Sequence, residues 1–188
     1  MHLLALLALP FAAPQLSDLL VAQDAVEAPA AQAPEVQDSV QTFTGTYKVK
    51  GSAEAQRQKL DKLAEEAAAD FPFYAKSIAE GRLKEAITMC EVYDIDLQAD
   101  TWMNKCDALP ALNRPIDGSA TTWQGANGPV TTTIKRMDNT VVLRLKTESG
   151  TRVNTFKFHD DDTMTLHVTL VSDSLEKPVK WVIPYVKG

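Results

Sequence analysis

Arg152 and Asn154 stand two residues apart, and the same spacing continues to Phe156 and Phe158. Alternate side chains of a strand share one face, so this spacing aligns a guanidinium and a carboxamide with two phenyl rings. Arg136 stands in the same relation to Val130, Thr132 and Ile134, and Tyr185 ends the apolar row Val179, Trp181, Ile183. A guanidinium on an apolar face is costly unless something answers its charge, so such rows suit an anion or a neighbouring carboxylate. The competing reading puts both arginines at strand ends with their heads in water. Either way the chemistry on offer is recognition rather than bond-making. There is no glycine-flanked nucleophile and no metal-ligand cluster, and neither His159 nor His167 has a nucleophile near it in sequence. The run His159-Asp160-Asp161-Asp162 has metal-ligating types, but an Asp-loaded hairpin turn is more simply a solvated one. No enzyme activity, no metal and no cofactor are expected.

Cys90 and Cys106 are the only cysteines. A disulfide between them depends on register. A three-residue loop at Leu97-Gln98-Ala99 pairs position 90 with 106 directly. A two-residue loop at Gln98-Ala99 instead pairs Ile95 with Trp102 and puts the two cysteines on opposite faces.

These residues need strands to hold them. From Ser119 to Val186 short segments alternate apolar and polar residues between turn signals such as Gly125-Ala126-Asn127-Gly128, Asp138-Asn139 and Glu148-Ser149-Gly150. Strands are expected near 119–123, 130–136, 141–146, 152–158, 164–171 and 179–186. Two more are expected at 91–97 and 101–106, and an isolated first strand at 43–50. Inward rows follow from parity: Val141, Leu143, Leu145; Phe156, Phe158; Met164, Leu166, Val168, Leu170; and Val179, Trp181, Ile183, Tyr185. Residues 110–118, with two prolines and Gly118, read as a loop.

Between the first two strands lies a helical stretch. Ser52 is a candidate N-cap, and Leu60, Leu63, Ala64 and Ala67 form a helical stripe. Asp70 is a candidate cap for a second helix with Pro72 in its first turn, and Gly81 a candidate stop. Phe71, Tyr74 and Ile78 share one side of it, as a mobile lid or a permanently packed plug.

About nine strands joined mostly by hairpins, with a two-helix insert after the first, predict an antiparallel up-and-down β-barrel of about 8–10 strands. The opening Phe43-Thr44-Gly45-Thr46-Tyr47-Lys48 resembles the Gly-x-Trp first strand of the calycin group, the lipocalins and fatty-acid-binding proteins. The helix pair at 52–86 is similar to the cap of fatty-acid-binding proteins, and the closing aromatic strand completes the likeness. The arrangement Leu175-x-x-Pro178-Val179-x-Trp181-x-x-x-Tyr185 also looks like the last strand of uncharacterised bacterial lipocalin-like proteins. The resemblance implies a small hydrophobic ligand inside the barrel. One departure is plain: where fatty-acid-binding proteins often carry Arg-x-Tyr on the last strand, this chain has Ile183-x-Tyr185, and Ile183 cannot donate to an anion.

The chain has 188 residues; of its 25 acidic residues five precede residue 43, and the other 20 face all 19 basic ones in 43–188. That near-neutral balance lacks the basic footprint of nucleic-acid binding. Leu3 to Ala13 is an apolar run too short to span a bilayer, matching a secretory signal over 1–13, though only His2 stands where a basic start belongs. Residues 14–42, rich in Ala, Pro and Gln, read as a flexible spacer. The expectation is an exported, secreted or periplasmic monomer holding a lipid-like molecule, with Tyr185, Trp181, Ile183, Phe156, Phe158, Leu166, Val168, Leu143, Arg136 and Arg152 around it. The alternative is a filled barrel acting through its outer surface as an interaction or inhibitor module.

Overall fold

The computed structural model describes residues 43–107, 109, 111–125 and 128–188. The expected signal and spacer lie outside the described residues. Ten strands form one antiparallel sheet: β1 (Gly45–Val49), β2 (Val92–Leu97), β3 (Thr101–Cys106), β4 (Leu112–Pro115), β5 (Asp117–Gly125), β6 (Gly128–Met137), β7 (Thr140–Thr147), β8 (Gly150–Phe158), β9 (Thr163–Ser172) and β10 (Val179–Lys187). Their spatial order is β4-β3-β2-β1-β10-β9-β8-β7-β6-β5. The first strand thus sits between the second and the last, which curls a simple meander into a nearly closed barrel. Tyr47 pairs with Tyr93 on one side and Lys187 on the other. The strands β4 and β5 end the order and are not paired with each other, leaving a seam. At its foot Ile116 spans the gap, donating to the Asp100 carbonyl and accepting from the Arg136 amide.

Strand β4 falls within the stretch read as a loop. It is only four residues long and ends in Pro115, so its pattern is too brief to read. The β2–β3 register follows neither loop considered above. Leu97 faces Trp102 and Tyr93 faces Cys106, so Cys90 lies before its strand begins. The chain there bends enough to bring Cys90 to Cys106, and the two form a disulfide with Cα atoms 5.4 Å apart.

The helices α1 (Ala53–Ala68) and α2 (Phe73–Ala86) lie between β1 and β2. Ser52 caps α1 by accepting from the Ala55 amide. For α2 the N-cap is Pro72, not Asp70, and the helix runs through Gly81. Gly81 faces solvent, where it costs the helix about 1 kcal/mol relative to Ala but cannot end it. The apolar stripe of α2 also points the other way from the expected one. Ala79 and Leu83 are buried, whereas Tyr74 and Ile78 are 75% and 56% exposed. A face of small residues lets α2 lie close against α1, and the bulky side chains are left outside. Phe71, in the turn before α2, does pack on the core. The three residues therefore form neither one lid nor one plug. Lys84 joins the helices by bonding Glu65 and Glu80 at 3.0 and 2.8 Å.

One cluster of buried side chains runs from the cap into the barrel, from Leu60, Ala64 and Leu83 to the inward rows of the strands. Among the described residues no helix is long and apolar enough to cross a membrane.

The disulfide closes a loop across 16 residues of sequence, and a cross-link of that span stabilises by about 3 kcal/mol through the unfolded chain. The Cys90→Ser/Cys106→Ser double variant should lose about that much, read as a lower urea midpoint with unchanged slope. An unchanged midpoint would show that the cross-link contributes nothing.

Candidate functional site

The inward rows converge on the core. Tyr47, Tyr93, Trp102, Phe156, Phe158 and Tyr185 are all at most 4% exposed. Tyr93 meets Phe156 and Tyr185 edge-on, each at 5.5 Å, and Trp102 lies 5.2 Å from Phe156. Phe43 stacks on Phe158 at 4.7 Å and stops the end of the barrel farthest from the helices. Leu143, Leu166, Val168, Ile183 and Trp181 are buried in the same cluster. Beside the seam the inward positions stay half-exposed, Leu112 and Arg114 on β4, Thr121 and Trp123 on β5 and Leu145 at the end of β7, whereas Thr132, Ile134, Val141 and Leu143 of β6 and β7 are buried. Their inward direction follows from their partners, since Arg114 faces Trp102 and Thr121 faces Thr132 across the ladder. The lumen is therefore filled by side chains of β1–β3 and β6–β10, and its half-exposed positions gather beside the seam between β4 and β5. Two cavities lie outside the barrel. One, about 350 Å³, lies between the α1–α2 turn and the β9–β10 loop; the other, about 510 Å³, lies beside the β8–β9 hairpin.

Arg152 is the most informative polar group. Strand parity turns it inward, opposite Leu145 and Leu170. Its Nε donates to Asn154 Oδ1 at 3.0 Å, one terminal nitrogen to the Ala86 carbonyl at 3.1 Å and the other to the Thr88 carbonyl at 3.5 Å. The guanidinium carbon lies 5.4 Å from the centre of the Trp181 ring. Among the described residues no carboxylate pairs with it. Burial holds its pKa below the ordinary arginine range, against the opposing influence of the Tyr93 and Tyr185 phenols. Nearby donors also outnumber acceptors. The buried Trp181 Nε1 has no partner, and Tyr185 donates its hydroxyl to the Cys90 carbonyl at 2.8 Å.

Arg136 does not join this group. It shares the face of Val141, at the other end of the barrel wall, and its Nε donates to the Asp138 carbonyl at 3.3 Å. From Val141 to Leu145 is four residues, or ~13 Å of strand, so the two arginines cannot hold one head group. Arg114, which sequence reading missed inside its loop, is also inward, and its buried Nε lacks a partner. Asn104 was missed too; it is 8% exposed and accepts from Trp102 Nε1 at 3.1 Å. Its alternation with Trp102 was the available signal.

The acidic hairpin turn holds itself together. Asp161 Oδ1 accepts from the Thr163 amide and hydroxyl, and Asp162 pairs with Lys187 at 3.8 Å. Among the described residues the one grouping with metal-ligand geometry is Cys90, Cys106 and Asp107, whose sulfurs are joined to each other. Asp107 is occupied as well, accepting from the Glu91 and Val92 amides.

No family model matches the chain, and no curated protein does. Solved structures of similar shape exist. The fatty acid transporter REP1-NXSQ is 13% identical, with 79% of this chain and 97% of that one covered and a TM-score of 0.49. The fluorescent protein UnaG is 16% identical, covering 79% and 99%, with a TM-score of 0.48. A Schistosoma mansoni fatty acid binding protein in complex with arachidonic acid is 13% identical, covering 80% and 98%, with a TM-score of 0.47. The calycin-like plan itself stands on this chain's strand order and on the helix pair after its first strand. At such distances function has to be read from the side chains.

The phenols of Tyr47 and Tyr93 are pushed up to about 12, chiefly by burial, with Asp162 adding to the first and Arg152 opposing the shift at the second. In the unfolded chain both ionise near 10. Their contribution is therefore complete below pH ~10 and is lost as pH rises to about 12. The urea midpoint should fall across that window and fall less in Tyr93→Phe. A flat midpoint from pH 9 to 12 would contradict this.

Proposed function

We propose that this protein binds a hydrophobic small molecule in its barrel and orients the molecule's anionic end at Arg152. The observation that carries this reading is a guanidinium on the inner wall, answered only by neutral acceptors and accompanied by an unpartnered indole N–H. A carboxylate offers two acceptor oxygens and the negative charge that the neutral acceptors around Arg152 do not supply. The apolar rows of β7 to β10 would bury the tail, and removal of that tail from water would drive binding. Access would be along the β4–β5 seam or beneath the helices. Holding rather than transforming a ligand is part of the proposal: the groups gathered around Arg152 are a carboxamide, main-chain carbonyls and an indole, which can bind an anion but offer it no nucleophile. Export is part of the proposal: a disulfide and the apolar run at 3–13 both suit an oxidising compartment.

A second reading has its own observation. Phe73, Tyr74 and Ile78 stand exposed on α2 while the lumen is crowded with rings, as in a filled barrel that works through its outer surface.

Titration with dodecanoate and with dodecanol, followed by calorimetry and by tryptophan emission, separates the two. The acid should saturate one site, and Arg152→Gln should weaken it roughly 10- to 100-fold while changing dodecanol only slightly, the expected loss for a charge-assisted pair. No saturable binding of either compound would reject the carrier reading.

A further inference from the structure

The segment leaving α2 is held from inside the barrel at several points. Arg152 binds the carbonyls of Ala86 and Thr88, Tyr185 binds that of Cys90, and the Cys90 sulfur is fixed to Cys106. Ala86 is the last residue of α2, and the final carbonyls of a helix have no partner within it. Arg152 supplies two donors there, and a cation at a helix C-terminus is favourable in its own right. The group read above as the receptor for an anionic head is therefore the same group that closes the end of the cap. It stands 66 residues from Ala86 in sequence, so the contact is wholly tertiary.

We propose that Arg152 is a latch: an anionic head that takes its guanidinium takes it from Ala86 and Thr88, so that ligand binding releases the end of α2. This rests on the reading of Arg152 as the head-group site. The carbonyl bonds cost the ligand affinity, because the head must displace them, and in exchange the empty barrel is kept capped. The disulfide and the Tyr185 bond fix the chain at Cys90. Release is then confined to the residues before it, and the last turn of α2 frays about a hinge near Met89. The amide of Ile87, which bonds the Leu83 carbonyl at 2.7 Å, reports that turn.

Amide hydrogen exchange on the full chain, with and without dodecanoate, tests the latch. In the ligand-free wild type the amides of Lys84 to Ile87 should be protected. Dodecanoate should speed their exchange roughly tenfold while leaving the α1 amides unchanged, and Arg152→Gln without ligand should match the ligand-bound wild type. Arg152→Lys, which keeps the charge with fewer donors, should fall between and guards against a Gln variant that fails to fold. If dodecanoate binds, as calorimetry reports, yet slows or leaves unchanged the exchange at 84–87, the latch is wrong and the head-group site survives. If ligand-free Arg152→Gln and Arg152→Lys exchange like the wild type there, the latch is also wrong. If dodecanoate does not bind at all, both proposals fall together.

Discussion

A guanidinium inside a barrel must be answered, and in this protein the answer comes from neutral groups. Arg152 is bonded to one carboxamide and two main-chain carbonyls, with an indole ring beside it. Desolvation works against its charge, and no described carboxylate compensates. The arrangement links three parts of the molecule: β8, which carries the arginine, β10, which carries Trp181, and the end of α2. It explains why the helical cap is continuous with the core rather than laid over it.

The rest of the barrel is built unevenly around that corner. Rings from β1, β2, β3, β8 and β10 interlock, with Tyr93 and Phe158 each meeting two others edge-on, and such contacts resist rearrangement. Beside the seam, on β4 and β5, the inward side chains are only half-buried, and Ile116 bonds across the gap. A guest entering at the seam would disturb the fewest fully packed side chains. The exposed aromatic pair on α2 adds nothing to the core and lies on the face away from it.

Much of this was legible in the sequence because strand alternation is strict after Val130. The rows from Val141 to Tyr185 point inward as parity requires, and Ser52 announces its helix by the ordinary capping chemistry. Other features lacked a local signal. Strand β4 is too short to show a period. The face of α2 was misjudged because aromatic residues at helical spacing usually pack, whereas here a strip of alanines allows the closer approach. The cysteines meet because Cys90 lies beyond its strand, where ladder register says nothing. Parity gave the direction of Arg152 but not its partners, since Ala86 and Thr88 are reached only through the closed fold. Arg136 shows the converse limit: its parity was sound, yet it sits at the wrong end of the wall to share a ligand with Arg152.

The carboxyl carbon of a bound ligand reports most directly where an anionic head rests. With dodecanoate labelled at that carbon, NMR of the complex should show a bound resonance that keeps its carboxylate shift below the ordinary carboxyl range, and Arg152→Gln should abolish that resistance to protonation. A bound resonance that titrates like a carboxylate in water, unchanged by the substitution, would contradict the claim.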